Sequence, residues 1–328
     1  MGFIGLIAGA CNGSADKKAG GEELVLNQPP FAGLTDSIRH ASSSDAAALY
    51  FRRGELLSRN NQHELAANDY KRSWELHPDE MTGIRYASAL SILGRTNDAI
   101  HLLTDCIRKY PSNSNFSAQL GETYIQSGKI KEALGLYSEM LQKDSLDFEA
   151  WYEKGLLLEK MKDTAGAIVS LKKAYSLQPV NTYALELAHL YAESGNKLAL
   201  TLCDDVLRKD PGYELLDPLF IKGIYFSNTA QYEKAIVQFD SCIGRDWKFT
   251  DAYLEKGIAL YKQKKYEDAM KTFMLTIKVS NTYPDGYFWI GRCYEAMGMK
   301  DEAIQYYGLA YGLDKGFTEA ADAIKRLK

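Results

Sequence analysis

From residue 47 onward, apolar side chains return every third or fourth position, the spacing that puts them on one face of an α-helix. These runs come in twos, split by short polar turns such as Ser127-Gly128-Lys129, and the pattern predicts helix pairs. The pairs themselves repeat. A small residue at Gly54 returns at Ala87, Gly121, Gly155, Ala188, Gly223, Gly257 and Gly291, in steps of 33 to 35 residues. A second series follows twelve residues later in most units: Ala66, Ala99, Ala133, Ala167, Ala199, Ala235, Ala269 and Ala303. A third falls four residues beyond: Tyr70, Leu103, Tyr137, Leu171, Cys203, Phe239, Phe273 and Tyr307. Pro78, Pro111, Pro179 and Pro211 punctuate unit ends. One pair is too small to bury its own apolar faces, so stacking of neighbours has to supply a continuous core. In such a stack the small residues let paired helices approach, and the Tyr70 series is expected to fill the space between neighbouring units.

The fourth unit carries Trp151, Gly155, Leu158, Ala167, Leu171, Ala174 and Pro179 in the places of the signature W-x₂-L-G-x₂-Y, A-x₃-F, P. On these residues, and on eight units in phase, the chain resembles the tetratricopeptide repeat family over about residues 47–315. The resemblance implies an all-α fold, a right-handed α-α superhelix (solenoid) of about eight helix pairs. Their expected bounds are 47–79, 80–113, 114–147, 148–180, 181–215, 216–249, 250–283 and 284–315. The fifth unit is a residue short between Ala188 and Ala199, and the connection around Gly212 to Asp217 is longer, so a local change of twist is expected there. Residues 316–328 predict a capping helix, with Ala320, Ala321, Ile324 and Leu327 on one side and Glu319, Asp322, Lys325 and Arg326 towards water.

The start of the chain reads as an address. Phe3 to Ala10 is too short to span a bilayer but suits the apolar part of a signal peptide. Ala8-Gly9-Ala10-Cys11 resembles a bacterial lipobox, which implies a diacylated Cys11 and a periplasm-facing, lipid-anchored envelope protein; a cytoplasmic chain is the alternative. Residues 12–46, with Gly13, Gly20, Gly21, Pro29, Pro30, Gly33 and Ser42 to Ser44, predict a flexible linker in which Leu34 to Ile38 forms at most one turn.

Composition narrows the function classes. Net charge is −4, from 39 basic and 43 acidic residues, which excludes a strongly basic, phosphate-tracking nucleic-acid binder. No run reaches the roughly 18 apolar residues of a spanning helix, so any membrane contact is through the lipid. None of the five cysteines forms a CxxC pair, and Cys106, Cys203, Cys242 and Cys293 fall where buried, inert thiols are expected. His63-Glu64 begins an HExxH-like string, but Ala67 replaces the second histidine. Glu186, His189 and Glu193 share one helix face at spacings of three and four. They are read as a polar groove surface and not as a metal site. No catalytic residue, metal or cofactor is expected, and the chain is not read as an enzyme.

In the tetratricopeptide family the first helix of each pair lines a groove for partner segments. Carried over by position, the groove begins with Arg52, Arg59 and Arg85 against Glu55. It continues with Glu122, Glu149, Glu153, Glu159, Glu186, His189 and Glu193 against Lys160. It ends apolar, with Phe220, Ile221, Ile224, Leu254, Ile258, Tyr261, Phe288, Trp289 and the cation Arg292, rimmed by Asp217, Asp251, Asp285 and Glu295. The expected partner is a protein or peptide segment with apolar anchors and basic flanks. At Phe220, Leu254 and Phe288, packing of helix on helix competes with that reading. Phe51 and Glu55 stand where the family's carboxylate clamp needs Lys and Asn, so an acidic C-terminal tail is not the expected ligand. The functional expectation is a protein–protein interaction scaffold in envelope assembly or secretion. The alternative is a cytosolic adaptor for signalling or enzyme-complex assembly.

Overall fold

The structure is a computed structural model that describes residues 23–210 and 215–328. Cys11, the lipobox-like segment and the first part of the expected linker lie outside the described residues. The described chain is all-α: α1 (Ala32–His40), α2 (Ser43–Arg59), α3 (His63–Leu76), α4 (Glu80–Ile92), α5 (Thr96–Lys109), α6 (Ser114–Gln126) and α7 (Ile130–Lys143) make up one compact unit. A second unit begins at Leu146, with α8 (Phe148–Lys160), α9 (Thr164–Leu177), α10 (Asn181–Glu193), α11 (Leu198–Arg208), α12 (Asp217–Asn228) and α13 (Tyr232–Arg245). It continues through α14 (Thr250–Lys262), α15 (Tyr266–Val279), α16 (Pro284–Ala296), α17 (Lys300–Leu313) and α18 (Thr318–Leu327). Within each unit, consecutive helices pack as antiparallel pairs and each pair stacks on the next.

Local chemistry sets these helices. Asp79, Asp147 and Asp163 accept the amide hydrogens of Thr82, Ala150 and Gly166 at 2.9–3.0 Å, the side-chain capping that satisfies orphan N–H groups of a first turn. Between paired helices the chain reverses through one residue in the left-handed region. It is Gly94, Gly128, Gly195 and Gly298 in four pairs, and Asn61, Lys162, Ala230 and Lys264 in the others. Every one lies seven residues beyond a member of the Gly54 series, so the turn keeps the same period as the core.

The repeated small residues are buried as expected: all eight alanines from Ala66 to Ala303 have 0% exposure. The third series differs from expectation. Its rings sit against the glycine of their own pair, Tyr70 on Gly54, Tyr137 on Gly121, Phe239 on Gly223, Phe273 on Gly257 and Tyr307 on Gly291. A Cβ at Gly291 would stand 2.8 Å from the Tyr307 ring. Absence of that carbon is what lets first and second helices of a pair close on a large ring. Only on its far side does such a ring reach the next pair, as when Phe273 stacks on Trp289 at 5.8 Å.

The linker expected over residues 12–46 is corrected where it is described. Phe31 is 6% exposed, Val25 and Leu26 pack on the first core, and α1 runs nine residues instead of one turn. The Thr35 hydroxyl, buried one turn on from Phe31, donates to the Leu26 carbonyl at 2.6 Å, folding the segment back on itself. α2 then starts at Ser43, with Ser42 capping the Asp45 amide. The short fifth unit shows in α11, 11 residues against 14 in α9 and α13. At the other end, α18 buries Ala320 and Ala323 over Tyr307, and Phe317 lies 4.9 Å from Phe288. Arg326 does not simply face water, since it donates to Glu295 at 2.6 and 2.8 Å.

Candidate partner-binding face

In the first unit the expected groove residues divide. Arg52 and Arg59 are exposed, but Arg85 lies 3.1 Å from Glu55, which also accepts the Tyr70 hydroxyl at 2.6 Å. The Arg85 charge is thereby partly consumed inside the unit. Arg52 borders a cleft of about 340 Å³ with Phe51, His77, Met81 and Thr82. Glu122 borders one of about 280 Å³ with Ser88, Ser91 and Gln119, and accepts from Gln126 at 3.0 Å.

The second unit holds a concavity larger than these two. First helices α8, α10 and α12 bring Glu159, Glu186, His189 and Asp217 around a cleft of about 470 Å³ floored by Leu185, Phe220 and Ile221, with Thr182 at its edge. His189 faces Glu193 at 3.9 Å. Elsewhere on α8, Tyr152 stacks on Tyr183 at 4.5 Å and Glu153 is half-buried. Burial pushes the Glu159 carboxyl above its ordinary value; the charges of Glu186 and Glu193 push the same way and His189 opposes them. Burial, with Glu186 next, likewise drives the Tyr152 phenol up to about 12. Among the described residues no group of three or more His, Cys, Asp or Glu is arranged to hold a metal ion.

Further along the same unit the side chains face two ways. Ile224 and Ile258 are half-buried in the clusters around Phe239 and Phe273, and Leu254 is buried. Phe220 packs at 5.7 Å from Phe239 and 5.1 Å from Phe249, and Phe288 at 5.4 Å from Tyr307, so both rings brace their pairs. Trp289 is half-buried between Phe273 and Tyr261. Arg292 lies over the Tyr261 and Trp289 rings at 5.5 and 5.4 Å, a stacked cation held at the surface of an aromatic floor.

One acidic residue at a groove register position was missed in the sequence. Glu255 occupies the sixth position of its unit, like Glu153 and Glu186, and burial followed by Asp251 raises its carboxyl while Lys262 opposes. Its period position was the available signal. Nearby, the Tyr283 hydroxyl donates to Asp251 at 2.6 Å, and burial raises the Asp285 carboxyl. The four described cysteines are free and fully buried, and burial pushes the Cys203 thiol up to about 12.

Comparison with known proteins agrees with this architecture. Tetratricopeptide repeat models match residues 90–154, 148–181 and 284–317. The chain is 22% identical over 235 residues to intraflagellar transport protein 70A of Danio rerio, covering 69% of this chain but 29% of that protein's length. A tetratricopeptide repeat protein from Parabacteroides merdae superposes with a TM-score of 0.65 at 18% identity, over 75% of this chain and 97% of the other. PilW, a type IV pilus biogenesis factor, gives 0.55 at 17% identity, over 64% and 97%. These likenesses are of fold. The eight phased helix pairs have the architecture of the tetratricopeptide repeat, and the chain is similar to that family over the matched segments.

Proposed function

We propose that this protein is a non-enzymatic interaction scaffold that holds a segment of a partner protein along the first-helix face of its second unit. The observation that carries the reading is an asymmetry of use. The second helices spend their repeated residues on the core, whereas α8, α10 and α12 leave a concave surface with an apolar floor and an acidic rim. Such a surface fits a segment with apolar anchors and basic flanks. The scaffold is tethered through a lipid on Cys11 and works in assembly or secretion at the bacterial envelope; Ala8-Gly9-Ala10-Cys11 and the fold shared with a pilus biogenesis factor support this placement.

Photo-crosslinking tests the face. A benzophenone side chain placed at Thr182, on the cleft, should capture a defined partner, and one at the exposed Val237 of α13 should not. Capture from both positions, or from neither, sinks the reading. The tether is tested by intact mass of the protein expressed with its genomic upstream sequence, where an unmodified Cys11 would remove it.

A further inference from the structure

The cleft bounded by α8, α10 and α12 carries more chemical information than its shape. Its floor is apolar: Leu185 and the Phe220 ring are half-buried and Ile221 is buried. Its rim is anionic, with Glu159 from α8, Glu186 from α10 and Asp217 from the first turn of α12. Among the described residues, no Lys or Arg forms an ion pair with any of these three carboxylates. The neighbouring lysine on α12, Lys222, is engaged with Asp204 at 2.7 Å, and Lys154 on α8 lies over Trp151. His189 is the one basic group on the lining, and it faces Glu193. The rim is therefore a set of acids, half-buried at Glu159 and Glu186 and exposed at Asp217, to which no lysine or arginine of the described residues is paired.

We propose that this cleft seats a basic side chain of the partner segment, an arginine flanked by an aliphatic residue, with the guanidinium between Glu186 and Asp217 and the aliphatic neighbour on Phe220 and Ile221. The inference rests on the scaffold reading above and specifies what is held there. Charge complementarity decides between occupants. An acidic segment would add to the repulsion already felt by Glu159, and a wholly apolar one would cover carboxylates without pairing them, which is costly. A guanidinium satisfies two carboxylates at once through its fixed fork of donors and tolerates an aromatic neighbour. The raised Glu159 carboxyl is in keeping with this, because a cation in the cleft would draw it back down.

The test uses the full chain with isoleucine methyl groups isotopically labelled, and two probes, acetyl-Leu-Arg-Leu-amide and acetyl-Leu-Gln-Leu-amide. The arginine peptide should shift the Ile221 methyl signal saturably and bind at least about tenfold more tightly than the glutamine peptide. In Glu186→Gln with Asp217→Asn that preference should vanish, while the buried Ile290 methyl keeps its position as the check on folding. Equal binding of both peptides to the unmodified protein would overturn the arginine seat and leave the scaffold face standing. If neither peptide moves Ile221, both fall.

Discussion

Arg53 and Asp69 meet as a buried, two-pronged ion pair: Nε and Nη2 each donate to one carboxylate oxygen at 2.7 Å, with both side chains about 6–7% exposed. The remaining Nη1 donates to Thr35 at 3.0 Å, so one guanidinium ties α1 to both helices of the first pair. This is why the segment before the repeats is part of the fold. Removing one charge strands the other in the interior. Arg53→Met should destabilise the first unit by about 3–5 kcal/mol, and Arg53→Met with Asp69→Leu should recover much of that loss. Hydrogen exchange of the α1–α3 amides reads the effect locally. Equal protection in Arg53→Met and the unmodified protein would show that the pair does not hold α1.

The glycines facing large rings should not tolerate a methyl group. Gly291→Ala puts carbon 2.8 Å from the Tyr307 ring and should cost about 1–3 kcal/mol. Gly135, in the middle of α7 with nothing near its missing Cβ, is the control. Gly135→Ala should stabilise by about 0.5–1 kcal/mol, since only the helical backbone entropy changes. Chemical denaturation of the two variants should move in opposite directions.

Half of the turns between paired helices carry a side chain in the left-handed region. Ala230, at φ 58°, has neither a polar group for local bonding nor a glycine's freedom. Ala230→Gly should therefore raise stability, by up to about 1 kcal/mol, whereas Gly128→Ala at φ 72° should lower it. Thermal unfolding followed by circular dichroism checks both signs.

Glu255 supplies a pH signature. Burial holds its folded carboxyl above the ordinary 4.5, so the folded chain keeps the proton more tightly than the unfolded one. The favourable contribution of the protonated form is complete below the unfolded value and is lost as pH rises through the folded value. Glu255→Gln, which imitates the protonated form, should be more stable than the unmodified protein at neutral pH. Its advantage should disappear in acid near and below the ordinary carboxylate value. A pH-independent difference in melting temperature would assign the effect to packing instead.

The sequence by itself determined what is local and periodic. Helix pairs, the fully buried alanines from Ala66 to Ala303, the buried cysteines and the terminal helix follow from spacing, because a repeating unit gives each register position nearly the same neighbours every time. Tertiary structure decided whatever depends on residues far apart in the chain. Nothing in the composition of residues 23–46 announces that Thr35 will meet Arg53, or Arg53 Asp69. Position alone placed Arg85 on the same footing as Arg52, yet folding brings Glu55 to one and leaves the other exposed. Phe220 and Phe288 share a register with groove residues, and only their contacts with Phe249 and Phe317 show that they brace the pairs. The acidic cleft is of the same kind. Glu159, Glu186 and Asp217 sit on three helices, 27 and 31 residues apart, and become one surface only when those helices stack, because charge adds up by distance in space and not along the chain.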